Sequence, residues 1–119
     1  MDLVKNTKNV TENSMALKDY KEKSLDLIKR FEAIEPKRWS VEGSSMELMT
    51  EVGDLIDLIL RKEYYKQNVY DDLDYQIKDE LADIILILFA IAEHYKIDLD
   101  ESYEEMLKIV DERLKSKGL

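Results

Sequence analysis

Nine consecutive residues from Ile84 to Ala92, IILILFAIA, are apolar, with no gap for a solvated face. A helix that is apolar all round is buried, either in a bundle core or between subunits. The run is too short to cross a bilayer, which needs about 20 apolar residues. One turn before it stand Glu80 and Asp83, three apart and therefore neighbours on one helix face. Carboxylates are almost never fully buried unless they are paired or bound to metal, so this pair calls for a positive partner.

A chain of 119 residues has room for one domain and one real core. It holds one Pro and three Gly, no strand-type alternation, and an abundance of Leu, Ile, Lys, Glu and Asp. These features predict an all-α, four-helix bundle-like fold, with a polar segment over residues 1–13 and a single domain over 14–119. A net charge of −9 speaks against binding a nucleic-acid polymer, which wants clustered cations. The absence of Cys excludes disulfides and thiolate metal sites. The leading MDLVKNTKNVTENS has no apolar core of a secretory signal, so a soluble, cytoplasmic protein is expected.

Along the chain, Asn13 or Ser14 can cap a first helix, whose apolar positions Leu17, Tyr20, Leu27, Ile28, Phe31 and Ile34 recur at helical spacing. It should stop before Pro36. The stretch EPKRWSVEG reads as a loop, and Ser44 with Glu47 forms a capping box for a second helix from about Ser45 to Lys66. A short acidic connection, NVYDDLD, leads to the third helix around Tyr75–Lys96. A fourth runs from about Glu101 to Lys115, with Tyr103, Met106, Leu107, Val110 and Leu114 as its buried side. Four helices of this length cannot cover Ile84–Ala92 on every side, which predicts a homo-oligomer with the third helix near the interface.

Acidic pairs three apart are common here. There are eight, and most must be solvated faces or caps. Two stand out by their surroundings. Glu80 and Asp83 abut the longest apolar run, and Glu51 and Asp54 lie in the helix with the next-widest apolar stripe, separated by Val52 and Gly53. Glycine inside a helix costs about 1 kcal/mol relative to Ala, so Gly53 asks for a close approach, by a ligand or by another helix. If the second and third helices are antiparallel, the pairs face each other and form a cage of hard oxygen donors. Such a cage suits Mg²⁺ or Mn²⁺. Glu47, one turn before Glu51, is an additional candidate, and Asp57 the next.

The patterns E-V-G-D at 51–54 and E-L-A-D at 80–83 resemble the signature of the MazG-like all-α nucleoside triphosphate pyrophosphohydrolases, a superfamily that includes dimeric dUTPases and dCTP pyrophosphatases. The resemblance covers roughly Trp39 to Arg113, and KIDLDESYEEMLKIVDERL is similar to the family's closing segment. It departs in two places. Asp54 stands where the family has a second Glu, one methylene longer, and Asp111 falls near a frequent Asn.

The resemblance implies that Glu51, Asp54, Glu80 and Asp83 bind Mg²⁺, which holds a triphosphate whose α–β anhydride is hydrolysed to a nucleoside monophosphate and pyrophosphate. Glu51 or Glu47 would accept the proton of the attacking water. Lys37, Arg38, Arg61, Lys62, Lys108 and Arg113 are candidate phosphate clamps, each weighed against a solvated surface cation. Trp39 is either a base-stacking platform or a core lid, and His94 a surface or capping residue. The family also implies a dimer or dimer of dimers and a role in cleansing nucleotide pools. The competing readings are a helical binding or regulatory module without chemistry and a phosphoribosyl-ATP pyrophosphohydrolase.

Overall fold

The computed structural model describes residues 16–65 and 72–119. The expected caps Asn13 and Ser14, the polar segment 1–13 and Lys66 lie outside them. The described residues form four α-helices: α1 (Leu17–Ile34), α2 (Val41–Leu60), α3 (Leu73–His94) and α4 (Leu99–Ser116), with a π-helical turn at Arg61–Tyr65 closing α2. The all-α expectation holds.

The start of α1 has no side-chain cap from its N-cap residue, Ala16. Instead the Asp19 carboxylate accepts the Ala16 N–H at 3.1 Å, and its charge suits the helix N-terminus. The second helix begins four residues earlier than the sequence suggests. Ser40, not Ser44, is its N-cap, accepting the Gly43 N–H through its side chain at 3.0 Å. Gly43 makes this early start possible. A Cβ there would lie 2.1 Å from the Lys37 carbonyl oxygen and 2.5 Å from that of Arg38, so only glycine lets the turn fold back on the helix. Gly43→Ala is therefore expected to cost about 1–3 kcal/mol, read as a lower urea midpoint. Gly53 shows the opposite. It is exposed, and a Cβ there would meet nothing within 4 Å, so no other helix among the described residues approaches it closely. Gly53→Ala should raise stability by about 0.5–1 kcal/mol in the same assay.

α2 and α3 form the most extensive helix pair, and α1 packs on α3. The contacts fix their directions. Lys62 at the end of α2 meets Asp74 at the start of α3, while Ser44 and Glu47 near the start of α2 share a cleft with Ile87. On the other side Lys21 reaches toward Asp98 at 3.8 Å, and Ile28 clusters with Phe89 and Ala90. Both α1 and α2 thus run antiparallel to a central α3. The core is Ile28, Trp39, Phe89 and Ala90, with Ile87, Leu58 and Ala92 also buried.

Within the single chain the run Ile84–Ala92 is not covered all round, as the sequence predicts: Ile85 is 51% and Leu88 39% exposed. The expected burial of α4 fails within the single chain: no residue of α4 is buried, and the apolar side from Tyr103 to Leu114 faces outward. The cause is geometric. After the turn at Tyr95–Ile97 the chain does not lay α4 back along α3, and α4 makes only slight contact with the other helices. No helix among the described residues is long and apolar enough to cross a membrane.

Candidate metal centre

The antiparallel register places the middle of α2 beside the first half of α3. Glu51 and Asp54 from α2 and Glu80 from α3 each bring a carboxylate oxygen to within 4.8 Å of the others. Glu51 and Glu80 are half-buried and Asp54 is exposed. One Glu80 oxygen, Oε2, is buried without a hydrogen-bond partner. A buried carboxylate oxygen left without a donor is costly, and a cation is the partner that would satisfy it. Asp83, one turn further along α3, stays outside this gathering, though its charge acts on Glu51.

Crowding of like charges shows in the acidities. The Glu51 carboxyl is pushed up from 4.5 to about 8, first by its hydrogen bond to Glu80, then by burial, and then by its hydrogen bond to Glu47 and the charges of Glu80 and Asp83. Asp83 is also raised, by burial and by Asp79 and Glu80, with Arg38 pulling the other way. Three carboxylates from two rigid helices supply only hard oxygen donors, and among the described residues no imidazole joins them, so they fit Mg²⁺ or Mn²⁺ rather than Zn²⁺.

Beside the acids, Arg38 bridges two elements. Its Nη1 donates to Glu35 Oε2 and its Nη2 to Glu47 Oε1, each at 3.2 Å. Glu47 is held in turn against Glu51. Glu35 was not singled out in the sequence; its three-residue spacing from Arg38 was the available signal. Trp39 takes the core-lid position. It is 6% exposed, stacks on Phe31 at 5.2 Å between centroids, and has the Arg38 guanidinium over its ring at 5.8 Å. A base would find no free ring face and could reach only an edge. The Trp39 Nε1 and Ser44 Oγ are both buried without partners, and both residues line a tight cleft with Arg38, Glu47 and Ile87. His94, at the end of α3, bonds through Nε2 to the Trp39 carbonyl oxygen at 2.9 Å and so ties α3 to the turn before α2.

The other expected contacts are scattered. Lys37 is exposed in the turn before α2. Arg61 pairs with Asp57 at 3.0 Å, and Lys62 pairs with Asp74. Lys108 and Arg113 lie on α4, which makes only slight contact with the acidic helices within one chain.

Comparison with known protein families matches residues 40–116 to the MazG nucleotide pyrophosphohydrolase domain. The match begins at the Ser40 cap and takes in α2, α3 and α4, more than half of the chain and every acid of the cluster. The chain belongs to this family. The MazG domain here thus brings its acids together from α2 and α3, while α1, which packs on α3, precedes the matched region. Neither the curated proteins nor the solved structures that were compared give a match to this chain.

Proposed function

We propose that this MazG domain is a Mg²⁺-dependent nucleoside triphosphate pyrophosphohydrolase that cleaves the α–β anhydride to give a nucleoside monophosphate and pyrophosphate. The observation that carries the reading is the convergence of Glu51, Asp54 and Glu80 from two antiparallel helices, with a Glu80 oxygen buried and lacking a donor. These three, joined by Asp83, would hold the cation. When bound, it would neutralise phosphate oxygens and make water a better nucleophile.

The chain's own groups then have distinct tasks. Arg38 fixes one oxygen of Glu47, which leaves the carboxylate aimed along the acidic face to take the proton released as water attacks. Glu51 serves as a ligand once its shared proton is displaced. With Arg61 and Lys62 engaged by Asp57 and Asp74, and Lys108 and Arg113 carried on α4, the phosphate contacts within one chain fall to Lys37, and to Arg38 through exchange of its Glu35 and Glu47 partners. The exposed apolar side chains on α3 favour a homo-oligomer, a dimer or dimer of dimers. A cytoplasmic role in cleansing nucleotide pools fits this chemistry.

The test is a panel of ordinary and modified nucleoside triphosphates, with phosphoribosyl-ATP included, incubated with and without Mg²⁺. Pyrophosphate and monophosphate should appear only with the metal. Absence of pyrophosphate from every substrate would favour a helical binding module instead.

A further inference from the structure

We infer that Glu35, the residue that ends α1, is a positioning residue for the proposed reaction: it holds one arm of the Arg38 guanidinium, so that Arg38 takes only one oxygen of Glu47. This rests on the hydrolysis proposed above and adds to it a residue that lies before the region matched to the family.

The Glu35 backbone is fixed from both sides. Its N–H donates to the Phe31 carbonyl oxygen at 2.7 Å, and its own carbonyl oxygen accepts the Trp39 N–H at 3.3 Å. The end of α1 is thereby joined to the turn that leads into α2. The Arg38 guanidinium stands over the Trp39 ring, and Trp39 in turn stacks on Phe31 of α1. Arg38 is thus held by a ring face and by two carboxylates, one at the end of α1 and one on α2.

The way the guanidinium divides its donors is the informative feature. Beside a lone carboxylate, an arginine fork favours two parallel bonds to both oxygens. Arg38 instead spends Nη1 on Glu35 Oε2 and Nη2 on Glu47 Oε1. Glu47 therefore keeps an oxygen that the cation does not hold. Without Glu35, Nη1 is free to turn onto that oxygen as well. A carboxylate gripped at both oxygens by a cation is a poorer acceptor for the proton of the attacking water. The Glu35–Arg38 pair adds little to the stability of the fold, since the Arg38 and Glu35 side chains are 50% and 41% exposed. What Glu35 contributes is the direction of Glu47.

Steady-state pyrophosphate release, measured beside thermal melts, tests this. Glu35→Ala should lower kcat about tenfold, the scale on which loss of a supporting hydrogen bond acts at such sites, with the melting temperature of the wild type. Glu35→Gln keeps an oxygen that accepts from Nη1 and should restore most of the rate. In a Glu47→Gln background, where no carboxylate is left to direct, Glu35→Ala should cost nothing further. Should Glu35→Ala melt early, the Glu35→Gln and Glu47→Gln comparisons still decide. A wild-type kcat in Glu35→Ala would overturn the positioning role and leave the proposed hydrolysis intact. So would a loss that Glu35→Gln fails to restore, or one that persists undiminished in the Glu47→Gln background. A wild type that releases no pyrophosphate from any substrate would overturn both readings.

Discussion

Glu80→Gln is expected to abolish pyrophosphate release, by more than about a hundredfold, while the helical circular dichroism stays that of the wild type. Neighbouring groups that merely orient a metal ligand cost about 10–100-fold when removed, so loss of a ligand whose buried oxygen has no other partner should cost more. The amide keeps the shape of the side chain and removes its charge. It also relieves repulsion with Glu51, so the folded state should not suffer. Retained turnover in this variant would remove the proposed cation site. Lost turnover together with lost helicity would show only that the fold had failed, and Asp54→Asn, at an exposed position, then serves as the second probe.

The second large effect concerns pH. Folding raises the Glu51 carboxyl from 4.5 to about 8, chiefly through its hydrogen bond to Glu80. The folded state therefore holds a proton that the unfolded chain releases. Its contribution to stability is complete below about pH 4.5 and is lost as pH rises through about 8. Without metal, the melting temperature should fall as pH rises from about 5 to 8 and level off above that. Saturating Mg²⁺ replaces the proton, so it should flatten this fall and stabilise most at the alkaline end. Glu51→Gln should remove both the fall and most of the metal's effect. Thermal melts across that range, with and without Mg²⁺, check the prediction; a melting temperature that rises with pH in the absence of metal would contradict it.

Much of the fold was legible because helical spacing survives any tertiary arrangement. The apolar stripes of the four helices and the stop before Pro36 needed only local chemistry. The start of α2 was harder. Ser40 and Ser44 both offer a capping hydroxyl, and Ser44 with Glu47 even matches a capping box. The choice falls to Ser40 because Gly43 nestles against the carbonyls of Lys37 and Arg38, a contact between residues five and six apart that no propensity encodes. Gly53 looked like the glycine under constraint, and it is Gly43 that is. The missing cover over α4 also lay beyond periodicity. An apolar stripe says that a face will be buried and not whether its own chain or another supplies the partner.

The site was legible in its acids and less so in its surroundings. Two acidic pairs at three-residue spacing beside apolar stripes pointed to facing helices, and Glu51, Asp54 and Glu80 do converge. Asp83 stands outside that convergence, one turn further along α3, where burial and the charges of Asp79 and Glu80 raise its carboxyl. The roles around the acids depend on three-dimensional neighbours. Arg38 is engaged by Glu35 and Glu47, and Trp39 spends its ring on Phe31, neither of which follows from a residue's type or its place in a loop.

The central claim is that α2 and α3 turn their carboxylates onto one divalent cation. A crystal grown with Mn²⁺ and measured at the manganese absorption edge tests it most directly. The account predicts an anomalous peak coordinated by Glu51, Asp54 and Glu80, with the formerly orphaned Glu80 oxygen among the ligands. A crystal saturated with Mn²⁺ that shows no peak among these three carboxylates would contradict it.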